Sequence, residues 1–209
     1  MNITEIESLF TRADNTYLCA RWGRPIVPVV FGVENETISL LKGAFEAVCV
    51  LAGHTMAETD PELGANVMML FCREWNDLSD VPDLHRLVPE LAELILRLIK
   101  VDANQYRIFR FDDQGAIQAC FIFLRMDEQL REVPADTLAL SQAVQSILLW
   151  SDVAFVKASP LAMVGGNAVL RPDIAGVIRA AYDWVMPAVA HDPLSLIHIS
   201  EPTRLTMIA

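Results

Sequence analysis

The stretch TLALSQAVQSILLW, residues 137–150, contains no charged side chain. Leu140, Val144, Ile147 and Leu148 recur at helical spacing and share one face, while Ser141, Gln142, Gln145 and Ser146 gather on another. A helix at the surface of a globular protein turns charges to water. This one has only amides and hydroxyls to turn. Its polar side is therefore expected to be partly buried or to line a groove, and its buried amides need hydrogen-bond partners. Pro134 lies ahead of it, and Asp136 is its expected N-cap.

The segments around this helix alternate between strand and helix patterns. RIFRFDDQGAIQACFIFLRM, residues 107–126, carries a turn signal at Asp112–Gly115 between two apolar runs, which predicts a hairpin; the continuous run Cys120–Leu124 is expected inside a sheet. HRLVPELAELILRLIK, residues 85–100, has the stripe Leu87, Leu91, Leu94, Ile95 and Leu98 of one amphipathic helix. ANVMMLFC, residues 65–72, is apolar throughout and predicts a buried strand. ETISLLKGAFEAVCVLAG, residues 36–53, predicts a helix with Asn35 as N-cap and Gly53 as C-cap. PIVPVVFGV, residues 25–33, predicts a strand, with Pro28 arguing for an edge position. Ile3 to Phe10 is expected as a short helix. After the central helix, ASPLAMVGGNAVL predicts a loop with a Gly165-Gly166 turn, then a last helix from Pro172 that ends before Pro187. This order implies an α+β fold, one domain over residues 1–193 built on a mixed or mostly antiparallel sheet backed by helices.

A chain of 209 residues with 53% hydrophobic residues can bury a sizeable core. Its net charge of −11 repels phosphate backbones and anionic membrane surfaces, so neither nucleic acid nor membrane is expected as a partner. The start, MNITEIESLF, has glutamates where a secretory leader needs basic residues, and the expected location is cytoplasmic. Cys19, Cys49, Cys72 and Cys120 sit inside apolar runs with no CxxC pair, as buried free thiols would. LSLIHISEPTR, residues 194–204, resembles the translation of a common sequencing adapter, so 194–209 is expected to be a read-through tail and is left out of the reading of fold and function.

The element order resembles that of a zincin metallopeptidase: sheet and backing helix, strand hairpin, active-site helix, loop, final helix. Zincins carry H-E-x-x-H on that helix, two histidines four apart on one face holding zinc and a glutamate as general base. The corresponding frame here is Ser141-Gln142-Ala143-Val144-Gln145, with every chemical position replaced. RWGRPIVPVVFGV, GANVMMLF and LRPDIAGVIRAAYDWVMP, the last with Arg179, Tyr182 and Asp183, are similar to an uncharacterised bacterial zincin-related domain family over about Tyr17 to Pro187. The resemblance implies a pseudoenzyme: a zincin-like domain with no metal, no cofactor and no catalytic residues.

The residues expected to form its groove are Ser141, Gln142, Gln145, Asp152 and Asp173, and the expected ligand is a protein or an extended peptide beside a sheet edge. A second expectation is a hydrolase of unrecognised type, in which Asp152 and Asp173 face one groove and hold a divalent cation or do acid–base work. A third is a structural subunit of a homo- or hetero-oligomer, with an apolar surface around Trp150 and Trp184. His54, His85 and His191 show no ligand spacing, and Met163 is expected in the core.

Overall fold

Two apolar runs, 67–72 and 119–124, have no polar face to give to water, so each must be covered on both sides. The computed structural model describes residues 1–193 and covers them in that way. The adapter-like stretch from 194 lies outside the described residues. The chain runs α1 (Ile3–Ser8), β1 (Cys19–Ala20), β2 (Pro28–Phe31), α2 (Asn35–Ala52), β3 (Val67–Cys72), a 3-10 helix (Trp75–Asp80), α3 (Leu84–Leu87), α4 (Leu91–Lys100), β4 (Gln105–Phe111), β5 (Ile117–Arg125), α5 (Glu128–Arg131), α6 (Ala135–Ile147), β6 (Leu161–Val164), β7 (Asn167–Leu170), α7 (Pro172–Ala181) and β8 (Val189–Ala190).

The main sheet has the order β2-β3-β5-β4. β2 and β3 pair parallel, as do β3 and β5, and β4 closes on β5 as the antiparallel hairpin expected from Asp112–Gly115. The sheet is thus mixed, and the mostly antiparallel alternative is corrected: the helical crossovers return β3 and β5 in the direction of β2. Side-chain alternation divides β3 and β5 between two cores. Val67, Met69, Cys120, Ile122 and Leu124 face α2, α6 and α7, while Leu70, Cys72, Ala119, Phe121 and Phe123 face the 3-10 helix, α3 and α4. The result is one mixed α/β domain of three layers, helices on both faces of one sheet.

α2 ends on Gly53 at φ +68, the C-cap that the sequence predicts, and buries Leu41, Phe45, Val48, Cys49 and Ala52. Its N-cap position is Glu34 rather than Asn35. Pro28 does lie in an edge strand. The single helix expected over 85–100 is two. Pro89 lacks the N–H that a continuous helix needs, Val88 before it takes φ −127 and ψ 85, and α4 starts afresh at Leu91. The expected loop after Ala158 is a hairpin, β6 and β7 pairing antiparallel across Gly165-Gly166, and Met163 on it is 64% exposed rather than in the core. α7 stops at Ala181, before Tyr182 and Asp183.

Where β2 ends, Gly32 has φ +87, and a Cβ there would sit 2.3 Å from the carbonyl oxygen of Phe71 on β3. Backbone in this region costs a side chain about 1–3 kcal/mol before any clash. Gly32→Ala is expected to lose at least that much in urea unfolding, while Gly43→Ala in the interior of α2, where nothing lies within 4 Å, is expected to cost nothing or to stabilise.

Candidate functional site: a cleft on the free edge of β4

α6 fixes the site, and three side chains fix the end of α6. Its last carbonyls have no partner within the helix. Trp150 Nε1–H donates to the Val144 oxygen at 2.8 Å, Trp22 Nε1–H to the Ser146 oxygen at 2.8 Å, and the Tyr182 hydroxyl to the Ile147 oxygen at 2.8 Å. The helix starts behind Pro134, and Asp136 lies in its first turn rather than at the N-cap. From Leu148 the chain is extended, and Trp150 turns inward to stack on Phe10 at 5.3 Å. Trp150 is therefore no part of an exposed apolar surface; Trp184, at 89% exposure, is.

The amides of α6 meet β4. Gln142 and Ser146 are fully buried. The Gln142 oxygen accepts from Arg107 Nη2 at 2.6 Å, and the Gln145 oxygen lies 3.4 Å from Arg107 Nη1. Behind them, Gln142 Nε2 donates to the Gln105 oxygen at 2.7 Å and Gln145 Nε2 to Ser141 Oγ at 2.8 Å. Ser141, Gln142 and Gln145 thus form one connected set whose purpose is to hold a guanidinium. Arg107 Nε is closed off from solvent without a hydrogen-bond partner. Burial lowers the pKa of Arg107, but a guanidinium stays protonated at any ordinary pH. Arg24, Arg125 and Arg171 each have a carboxylate within ion-pair distance. Among the described residues Arg107 has none.

Arg107 lines a cleft of about 520 Å³ with Arg12, Phe109, Gln145, Trp150 and Asp152 among its walls. The cleft follows the outer edge of β4, which has β5 on one side and no strand on the other among the described residues. Arg125 N–H donates to the Asn104 oxygen, so the 104–125 pair is a hydrogen-bonded one; with Gln105 opposite Leu124, alternation then turns Gln105, Arg107 and Phe109 outward. Their backbone N–H and C=O groups face the open edge. On the other face of the same strand, Tyr106, Ile108 and Arg110 line a second cleft of about 510 Å³ with Glu90, Glu93 and Arg97.

Of the residues expected from sequence, Gln145 and Asp152 line the first cleft, Gln142 supports it from behind, and Ser141 holds Gln145. Asp152 Oδ1 accepts the Ala13 N–H at 3.1 Å. Asp173 stands apart. It pairs with Arg171 and lines a separate cavity of about 660 Å³ with Met1, Glu5 and Lys157. The expectation that Asp152 and Asp173 share a groove is corrected: they line two different cavities, with Phe155 a wall of both. Among the described residues no three His, Cys, Asp or Glu side chains are grouped to hold a metal ion. The residue that sequence reasoning missed is Arg107. The available signal was one charge, Arg107, alternating onto the same face as Phe109, Cys120, Ile122 and Leu124, which otherwise carries no charge in the hairpin.

His54 serves packing, while His85 and His191 are exposed. His54 lies 5.1 Å from the Tyr182 ring, and its Nε2 is 2.9 Å from the Arg24 carbonyl oxygen. Burial lowers its pKa below the ordinary 6.5, against the opposing pull of that carbonyl. As pH falls through about 6.5 the unfolded chain takes the proton first, so stability is expected to drop below that pH and to level off beneath the folded value. Urea midpoints between neutral and mildly acidic pH measure this, and His54→Gln is expected to remove that part of the slope.

Comparison of the chain with protein-family models, with curated proteins and with solved structures finds no match. No helix among the described residues is long and apolar enough to cross a membrane.

Proposed function

We propose that the chain is a non-catalytic, zincin-like binding module that takes an extended segment of another polypeptide along the free edge of β4. The observation that carries this reading is the outward row of backbone groups on Gln105, Arg107 and Phe109 with a cleft on each face of the same strand. An incoming strand gains main-chain hydrogen bonds from such an edge, and its alternate side chains enter the two clefts in turn. A second copy of this chain is a poorer occupant, since pairing β4 with itself sets Arg107 and Arg110 of both copies in one ladder. The zincin-like layout rests on the order sheet, backing helix, hairpin and α6, with Ser141 and Gln145 at the positions of the two histidines and Gln142 at that of the glutamate. The glutamines are neutral and are engaged with Arg107, which favours binding over metal-assisted hydrolysis.

The test is backbone methylation of a bound peptide. Peptides selected on the full chain from a random library, then N-methylated at alternate amides, should lose binding in one phase and keep it in the other. Each lost main-chain hydrogen bond is worth about 0.5–1.5 kcal/mol, so several together give about tenfold or more. Equal tolerance of both phases would remove strand addition as the mode of binding.

A further inference from the structure

Unlike Arg24, Arg125 and Arg171, Arg107 has no carboxylate within ion-pair distance among the described residues. Its charge is half-buried at the wall of a cleft, its Nε–H has no acceptor, and its two named partners are neutral amide oxygens. Amides fix the plane of the fork without neutralising it, so the guanidinium keeps its full charge and part of its donor capacity. Charged groups removed from water are normally paired. The cleft also holds Arg12 and one carboxylate, Asp152, whose Oδ1 is already engaged by the Ala13 amide. The walls beside Arg107 are apolar and aromatic, with Phe109, Trp150 and Phe155 among them.

We infer that Arg107 is a receptor for the side-chain carboxylate of an Asp or Glu in the extended segment bound on β4. This inference rests on the strand-addition reading given above. Geometry favours a side chain over a chain terminus. A residue of an added strand opposite Arg107 sends its side chain to the same sheet face, within about 5 Å of that of Arg107. Bidentate pairing with a guanidinium then follows from the fork that Gln142 and Gln145 hold in place. Of the residues two positions before and after the acid, one stands opposite Phe109, on the side of the aromatic wall, and suits an apolar side chain, while the other stands opposite Gln105 and suits a polar one. The intervening residues fall on the opposite face, where the second cleft offers Glu90, Glu93, Arg97 and Arg110 and suits polar ones. The recognised pattern is thus an acidic residue with an apolar residue two positions away on one side, the side that meets Phe109. The whole-chain charge of −11 slows the encounter with an acidic partner, and the local cation supplies the selectivity.

The experiment is selection of a random-peptide library displayed on phage against the full chain, followed by fluorescence anisotropy with the synthesised peptides. The expected result is an Asp or Glu at a fixed position, an apolar residue two away on one side, and a loss of about 30-fold or more when that acid becomes its amide. Arg107→Gln should bind the acidic and amide peptides equally, and Arg107→Lys should keep the preference in weakened form. Peptides retained with no acidic preference, yet sensitive to alternate N-methylation, overturn the carboxylate inference and leave strand addition standing. Absence of any retained peptide overturns both.

Discussion

Trp22→Ala is expected to lower the free energy of unfolding by about 4 kcal/mol or more. Two effects add at this position. The indole is 1% exposed, and removing a buried aromatic side chain of this size ordinarily costs about 3–5 kcal/mol through lost transfer energy and the cavity left behind. Its Nε1–H is also the partner of the Ser146 oxygen in the last turn of α6, and an orphaned buried carbonyl costs about 1–3 kcal/mol. Trp22→Phe separates them. It keeps most of the volume and loses the donor, so about 1–2 kcal/mol is expected. Trp184→Ala is the control, since a side chain 89% exposed should change stability by no more than about 0.5 kcal/mol. Urea unfolding followed by circular dichroism, which does not depend on the removed fluorophore, measures all three. Equal losses for Trp22→Phe and Trp22→Ala would assign the whole effect to the hydrogen bond and none to packing.

These side chains also mark the boundary of what the sequence can tell. The helix α2 is legible because everything that makes it is local: Leu41, Phe45, Val48 and Ala52 on one stripe, then a glycine free to take φ +68. The hairpin of β4 and β5 is legible for the same reason, its turn being written in Asp112–Gly115. The break at Pro89 and the hairpin at Gly165-Gly166 are also written locally, in a missing N–H and in two four-residue runs joined by two glycines. Strand partners are different. β3 lies beside β5, about fifty residues away in sequence, because crossovers bring it there, and no local pattern encodes which strand is met. The site divides in the same way. Gln142 and Gln145 stood out because they occupy a face without charges, but their partner Arg107 is 35 and 38 residues away. The neutral frame from Ser141 to Gln145 resembles a vacated metal motif, and it takes the register of β4 against α6 to see that Gln142 and Gln145 hold a cation.

Gln142→Leu is expected to destabilise the protein by about 3–5 kcal/mol, and adding Arg107→Met is expected to restore most of the loss. The first change keeps the apolar contacts of α6 and removes the 2.6 Å acceptor, so the guanidinium is left half-buried with only the longer Gln145 contact. An uncompensated buried charge is the costly case. Arg107→Met alone leaves the opposite fault, an amide at 0% exposure without its donor partner, and about 1–2 kcal/mol is expected. The double variant has neither fault and should lie near the wild type. The coupling between the two sites is therefore large and favourable, and double-mutant analysis of urea midpoints gives it directly. Losses that simply add would show that the two side chains do not depend on each other, and the guanidinium would then need another explanation. Near-equality of the double variant with the wild type has a further meaning. A Met–Leu pair would serve the fold as well as an Arg–Gln pair, so the fold does not require the cation. The requirement must then come from what enters the cleft, and the double variant, folded and without the charge, is the protein in which a preference for acidic peptides should be absent.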